Sequence, residues 1–113
     1  MKNLFIPYKL AKAAHHKGFP NQTGSCLAAW EITDNAEWLH FGAHPVGLLQ
    51  APLYGQIVDW FREKHDIEIR VDISAGFVFW VKAISSGAIL KRGEGYTYYK
   101  TLDKAIEEAF KLI

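Results

Sequence analysis

Hydrophobic and polar residues alternate more regularly in one segment than anywhere else in the chain. Residues 67–73 alternate apolar and charged side chains without a break, which is typical of a strand with one buried face. Residues 77–84 are rich in aromatic and β-branched side chains, and the three residues between the two segments end in Gly76. A three-residue loop whose last residue is left-handed favours a hairpin. The pattern therefore predicts an antiparallel β-hairpin over residues 67–84.

The length of this turn also predicts the register of the hairpin. On the core face, the expected pairs are Ile73 with Phe77, Val71 with Phe79, and Ile69 with Val81. On the outward face, they are Asp72 with Val78, Arg70 with Trp80, and Glu68 with Lys82. We expect a cation–π contact between Arg70 and Trp80, and an ion pair between Glu68 and Lys82.

Three further segments have the apolar spacing of amphipathic helices. They are Phe5–Lys17, Pro52–His65 and Leu102–Leu112. Gly18 follows the first as a left-handed C-terminal cap, and Thr101 precedes the third as its N-cap. The second has the clearest apolar face, which carries Trp60 and Phe61, so we expect at least one of these two side chains to be almost fully buried.

Weaker strand signals lie before and after these elements. Residues 25–32 and 38–43 are predicted as two strands joined around Asp34–Asn35. After the hairpin, the turn-rich connection has room for a short strand at Ala88–Lys91, and Tyr96–Lys100 is predicted as the last strand.

Together these elements follow the order α-β-β-α-β-β-(β)-α. Short links within the strand pairs favour antiparallel neighbours, so the sequence predicts one two-layer α+β domain over residues 1–113. In this domain about three helices pack against an antiparallel sheet. Whether the strand pair within Ser25–Ala43 joins that sheet stays open.

The segment Ala51–His65, with the sequence APLYGQIVDWFREKH, resembles a family of short uncharacterised proteins carried by prophages and other mobile elements of gut bacteria. Phe5–Phe19 and Tyr99–Ala105 are similar to the two ends of the same family, whereas residues 21–25 and 44–49 depart from it. The resemblance touches most of the chain. It implies an accessory protein of a phage or mobile element and carries over no activity or catalytic residue.

Charge and composition exclude several classes of protein. The 113 residues are 50% hydrophobic, and 13 Lys and Arg oppose 12 Asp and Glu, which gives a formal net charge of +1. Nucleic-acid and membrane binders driven by charge have a strong basic excess, so this balance disfavours both. No apolar run approaches the roughly 18–20 residues that span a bilayer, and the start of the chain lacks the apolar stretch of a signal peptide. We therefore expect a cytoplasmic protein that does not associate with membranes.

Histidine and cysteine provide the candidate chemistry, and their placement is unfavourable. His40 and His44 are four residues apart, but they lie on a predicted strand and loop, where that spacing does not align two ligands. His15 and His16 are adjacent and point about 100° apart on a helix. Cys26 is the only cysteine and has no recognisable catalytic signature around it. The sequence thus predicts no metal, cofactor or catalytic residue, and a small enzyme with an unrecognised site ranks third among the functions.

The outward face of the hairpin is the first candidate for function. If the helices cover one side of the sheet, a large aromatic side chain stays on the other side among basic residues, and such a surface is typical of a contact site. The residues of this predicted interaction surface are Arg70, Val78, Trp80, Lys82 and Ile84. The sequence thus favours a non-enzymatic interaction module whose partner is another protein or a second copy of the chain. The competing interpretation is that residues 42–49 or 88–90 fold over this face.

A second candidate is a single-stranded nucleic-acid site on the predicted Tyr96–Tyr99 strand. The segment KRGEGYTYY at residues 91–99 partly matches the RNA-recognition strand pattern, in which a basic residue and glycines precede alternating aromatic side chains. The candidate contacts are Arg92, Tyr96, Tyr98 and Tyr99. Glu94 stands where the pattern has an aromatic residue, and the net charge disfavours this alternative.

Overall fold

Three helices and two three-stranded antiparallel sheets make up the fold, as described by a computed structural model for residues 4–20, 28–33, 36–41 and 48–113. The α+β class and the order of the predicted elements are confirmed, with one added two-residue strand. The chain divides into two units, residues 1–54 and 55–113. Each unit has its own sheet, and the strand pair within Ser25–Ala43 belongs to the first. The single domain stays a prediction.

The first unit combines one helix with a small sheet. Its elements are α1 (Tyr8–His16), β1 (Ala28–Ile32), β2 (Glu37–Phe41) and β3 (Leu49–Gln50). The strand order is β2-β1-β3, so β1 is central, and its residues 28, 29 and 30 are all buried. Because consecutive residues of a strand point to opposite faces, β1 is buried on both sides. Helix α1 packs against β3, and the His15 Nε2–H donates to the carbonyl oxygen of Gln50 at 3.1 Å.

Helix α1 is shorter than its apolar spacing predicts. It begins at Tyr8, because Pro7 is extended (ψ 159°) and the N–H of Ile6 donates to the carbonyl of Pro52 at 2.9 Å instead of entering a helix. The C-terminal end is as predicted, since Gly18 is left-handed with φ 93°.

The second unit is a sheet with a helix packed on one face. Its elements are α2 (Tyr54–His65), β4 (Ile67–Ile73), β5 (Phe77–Ala83), β6 (Ile89–Gly95) and α3 (Tyr98–Phe110). The strand order is β4-β5-β6, and α3 packs against all three strands. The rings of Phe61 on α2 and Phe110 on α3 are 5.1 Å apart. Phe61 is fully buried and Trp60 is nearly so, which confirms the predicted buried aromatic on α2.

The predicted register of the hairpin is confirmed at every pair. Its turn contains two left-handed residues, Ala75 (φ 51°) and Gly76 (φ 119°), rather than one. One expectation of burial is wrong: Ile73 lies on the core side by parity but is 80% exposed. It is the last residue of β4, next to the exposed turn, so the burial of the core face ends before it.

The predicted strand over Tyr96–Lys100 is wrong. Strand β6 ends at Gly95, and α3 begins at Tyr98 with Thr97 as its N-cap, whose side-chain oxygen accepts the N–H of Lys100 at 3.2 Å. The predicted N-cap, Thr101, lies inside the helix and is fully buried. Both threonines suit a cap by residue type. The apolar face of α3 is buried as predicted, at Leu102, Ala105, Ile106, Ala109 and Phe110.

Candidate functional site

Two glycines of β6 identify the face of the second sheet that meets α3. A Cβ built on Gly95 would overlap the side chain of Thr101, and one built on Gly93 would lie 2.6 Å from Cζ of Phe79. Phe79 pairs with Gly93 across the strands, so these side chains occupy the helix-facing side. Side chains alternate between the two faces along a strand, so the residues between these helix-facing ones point to the opposite side. We call this opposite side the charged face and define it by Glu68, Arg70, Asp72, Val78, Trp80, Lys82, Arg92 and Glu94.

The register arranges the charged face in rows that cross the three strands. One row contains Arg70, Trp80 and Arg92, and we call it the basic row. The neighbouring row contains Asp72, Val78 and Glu94, and we call it the acidic row. In each row an apolar residue of the central strand has charges of one sign on both sides. Side chains in cross-strand register are about 4.5–5.5 Å apart at Cβ, so the residues of each row are direct neighbours.

Trp80 has a cationic partner, but not the predicted one. The guanidinium carbon of Arg92 lies 5.9 Å from the centre of the Trp80 ring, whereas Arg70 Nε forms an ion pair with Asp72 Oδ2 at 3.2 Å. Both arginines remain beside Trp80 in register. The sequence predicts Arg92 only as a nucleic-acid contact. The predicted short strand at Ala88–Lys91 stops one residue before Arg92, so a longer version of that strand is the signal that could have found its position.

Glu68 has a different ion-pair partner from the predicted Lys82. Both carboxylate oxygens of Glu68 accept hydrogen bonds from Arg62 on α2, at 2.8 Å from Nε and 3.2 Å from Nη2. This hydrogen bonding, together with the charge of Glu68, raises the pKa of the Arg62 guanidinium. Arg62 also contacts Asp59 one helical turn earlier, at 3.1 Å. Lys82 is half-buried in register with Glu68, and the two-point bond to Arg62 holds the carboxylate.

The residues predicted for the interaction surface differ in exposure. The Arg70 side chain is 62% exposed, and Trp80 and Lys82 are half-buried. Val78 is only 4% exposed, so the prediction that it extends an exposed apolar strip is wrong. It is a short side chain in the central strand between Asp72 and Glu94. Ile84 is exposed and lies just beyond the end of β5.

The residues predicted for nucleic-acid contact do not form one strand face. Tyr96 is 98% exposed between β6 and α3, whereas Tyr98 and Tyr99 lie in the first turn of α3 with their rings 5.2 Å apart. The Tyr98 ring also packs on Phe77, 6.3 Å away. Arg92 lies on the charged face beside Trp80. The alternation of tyrosines therefore does not present a stacking surface of the predicted kind.

Two smaller polar arrangements lie outside the charged face. In the first unit, His40 Nε2 is 3.1 Å from Glu31 Oε1, and Trp38 beside them is 56% exposed. In the second unit, the Ser85 hydroxyl donates to Asp66 Oδ2 at 2.5 Å, which joins the start of β4 to the turn after β5. Within the described ranges, no group of three His, Cys, Asp or Glu residues could hold a metal ion. Cys26 and His44 lie outside the described residues.

No known family model, curated protein or solved structure matches the chain. Of the helices that the structure describes, none is long and apolar enough to cross a membrane.

Proposed function

We propose that this protein is a non-enzymatic interaction module that binds a protein partner through the charged face of its second sheet. The observation that carries the proposal is the basic row, in which Trp80 lies on the central strand with Arg70 and Arg92 on either side in register. Tryptophan and arginine are the residue types most enriched among those that dominate binding energy at protein interfaces. The rows supply an apolar centre and an ordered set of charges, which are the elements of a specific contact.

The proposal of a binding rather than a catalytic role rests on how the acidic groups are used. Several of them are engaged in surface ion pairs or in holding a turn, as in Asp72 with Arg70, Glu68 with Arg62, and Asp66 with Ser85. A general acid or base instead needs a carboxyl or imidazole group placed against a substrate with a pKa tuned towards neutrality. In keeping with the resemblance noted above, we place the module among the cytoplasmic accessory proteins of phages and mobile elements.

The alternative is binding of single-stranded nucleic acid, for which Arg92 beside Trp80 is the favourable observation. An aromatic ring next to a guanidinium can stack a base and contact a phosphate. The acidic row lies directly beside this site and opposes phosphate, so we rank protein binding first.

The test is replacement of Trp80 by Ser, with Trp38→Ser in the first sheet as the matched control. Both variants are checked for folding by circular dichroism and are then compared in partner capture from a lysate of the native host and in sedimentation velocity. We expect Trp80→Ser to remain folded and to lose association, and Trp38→Ser to keep it. If both variants associate as the wild type does, the charged face is not the binding surface.

A further inference from the structure

We infer that the partner of the charged face is a second copy of the same chain, related by a two-fold axis that runs parallel to the rows, between the basic and the acidic row. The inference rests on the proposed function and specifies its partner. It follows from a property of the rows that a heterologous partner does not require: the face is complementary to itself. A two-fold interface must be self-complementary, because the same residues occur on both sides.

The complementarity can be worked out from the register. Rotation about an axis along the rows exchanges the two rows and keeps the order of the strands. Asp72 then faces the partner's Arg70, and Glu94 faces the partner's Arg92. Both contacts occur twice, which gives four pairs of unlike charge. The central Trp80 faces the position of the partner's Val78, whose side chain is only 4% exposed, so the apolar contact at the centre comes from Trp80 itself, with the charge pairs on both sides.

The charges also exclude the other simple way of stacking two such sheets. If the axis ran along the strands instead, each row would face itself with its ends exchanged. Asp72 would then face the partner's Glu94, and Arg70 would face the partner's Arg92. Like charges facing each other across an interface suppress an arrangement strongly. The row pattern thus selects one of the two axes and one register.

The ion pairs within one copy do not prevent this exchange. The Arg70–Asp72 pair is exposed to solvent, with 62% of the arginine and 39% of the aspartate side chain accessible. Exposed pairs of this kind contribute little, so each charge can change its partner at low cost. Arg92 is exposed and makes its contact with the Trp80 ring, which it can keep while facing the partner's Glu94.

The ends of β6 add an apolar contact to the same arrangement. Ile89 begins this strand and is 57% exposed, and the 98% exposed Tyr96 follows its last residue. The two-fold axis brings the beginning of β6 near the end of the partner's β6. Ile89 of one copy and the partner's Tyr96 thereby approach each other, which covers two of the most exposed large side chains of the second unit.

The size of the face predicts a weak dimer. Three strands about 4.8 Å apart, each seven residues long at about 3.3 Å per residue, cover roughly 14 by 23 Å in projection. Two such faces give an area below the roughly 1,200 Å² at which stable interfaces begin, although long side chains add to it. We therefore expect a dimer that dissociates on dilution, with monomer prevailing at low concentration.

The experiment is charge reversal on β6, read by sedimentation velocity over a hundredfold range of protein concentration. Arg92→Glu and Glu94→Arg are each expected to weaken self-association by about tenfold or more, because each creates like-charge contacts at two places. An equimolar mixture of the two single variants is expected to associate, since every facing pair in the mixed dimer is again of unlike sign. The double variant is expected to associate as the wild type does. Lys100→Glu, on the exposed side of α3, is the matched control and should change nothing.

Each outcome decides a different point. A wild type that stays monomeric throughout the range overturns self-association, and in that case Trp80-dependent capture of a different protein would still support the proposed function. If the wild type neither self-associates nor captures a partner through Trp80, both the dimer and the proposed function are overturned. If the single variants lose association but their mixture does not regain it, the two-fold register is wrong. Arg70→Glu and Asp72→Arg on β4 repeat the mixing test at the other end of the rows, so a β6 variant that fails to fold does not end the experiment.

Discussion

The two sheets of this protein present tryptophan in opposite ways. In the first sheet, Trp38 lies on the edge strand β2 and is 56% exposed, and among the described residues it has a neighbour in register on one side only, Glu31. In the second sheet, Trp80 lies on the central strand and is half-buried between two arginines. The more exposed tryptophan therefore has the fewer neighbours in register. An exposed ring on an edge strand can be covered by a partner, whereas a ring on a central strand can have charged side chains on both sides.

The two sheets also differ in how their strands are buried, since β1 is buried on both faces and β4 has one buried and one exposed face. Consecutive residues of β1 are buried, so apolar side chains occupy both of its faces, and exposed apolar residues remain at Ile32 and Phe41. In β4, the buried Ile67 and Ile69 are followed by the exposed Arg70, so its two faces are distinct. A strand with two different faces has a strongly specified register, since a shift by one residue would bury its charges.

The largest expected effect is on the core of the second unit. Phe61→Ala removes a fully buried ring that packs on Phe110 and is expected to lower the free energy of unfolding by about 3–5 kcal/mol. Trp38→Ala, which truncates the exposed aromatic of the first sheet, should change it by about 0.5 kcal/mol or less. Urea denaturation of both variants gives the comparison. A loss at Trp38 as large as that at Phe61 would show that the exposed apolar residues of the first sheet are part of a core.

The next effect concerns the close approach of α3 to the second sheet. In Gly95→Ala the new Cβ would overlap the Thr101 hydroxyl and lie 3.2 Å from the Thr101 Cβ, so we expect a loss of about 1–3 kcal/mol. Gly55→Ala is the control, because a Cβ there meets nothing within 4 Å and a helical position favours Ala over Gly by about 0.5–1 kcal/mol. Thermal melts should therefore move in opposite directions for the two substitutions. Equal shifts would mean that α3 is not held against β6 as described.

A smaller effect on stability is expected at Thr97, the N-cap of α3, and it should exceed the effect at a comparable contact in an exposed turn. Thr97→Ala removes the oxygen that accepts the N–H of Lys100, and loss of such an N-cap costs about 1 kcal/mol. Thr33 in the first unit makes a comparable contact, accepting the N–H of Ala36 at 3.2 Å, but it serves an exposed turn. We expect Thr33→Ala to cost less than half as much, measured by chemical denaturation. A silent Thr97→Ala would reopen the strand interpretation of residues 96–100.

The parts that sequence reasoning predicted are those where one local rule acts without competition. The alternation of charge in β4 and the length of the turn at Gly76 predicted every pair of the hairpin. At Thr97 and Thr101, two equally suitable caps lie four residues apart; Thr97 is the cap, and the Thr101 side chain lies against Gly95 instead. That contact joins parts of the chain that local patterns do not relate. The predicted short strand at Ala88–Lys91 covers only the first part of β6 and stops one residue before Arg92, so the sequence placed Arg92 outside the charged face.

The smallest effect is an expected absence of nucleic-acid binding, and it tests whether the arginines beside Trp80 are organised for protein or for phosphate. Arg70 and Arg92 lie next to Asp72 and Glu94, so the opposite charges offset each other and the face attracts phosphate only weakly. Labelled single-stranded RNA and DNA, titrated by fluorescence anisotropy, should show no binding at physiological salt. If binding does occur there, it should fall steeply with added salt. Loss of stacking in Trp80→Ala should then weaken it by about 1–3 kcal/mol, whereas Tyr98→Ala, whose ring packs on Phe77, should not. Micromolar affinity with that pattern would rank nucleic-acid binding above protein binding. It would mean that phosphate binds in spite of the acidic row, with basic side chains outside the two rows contributing.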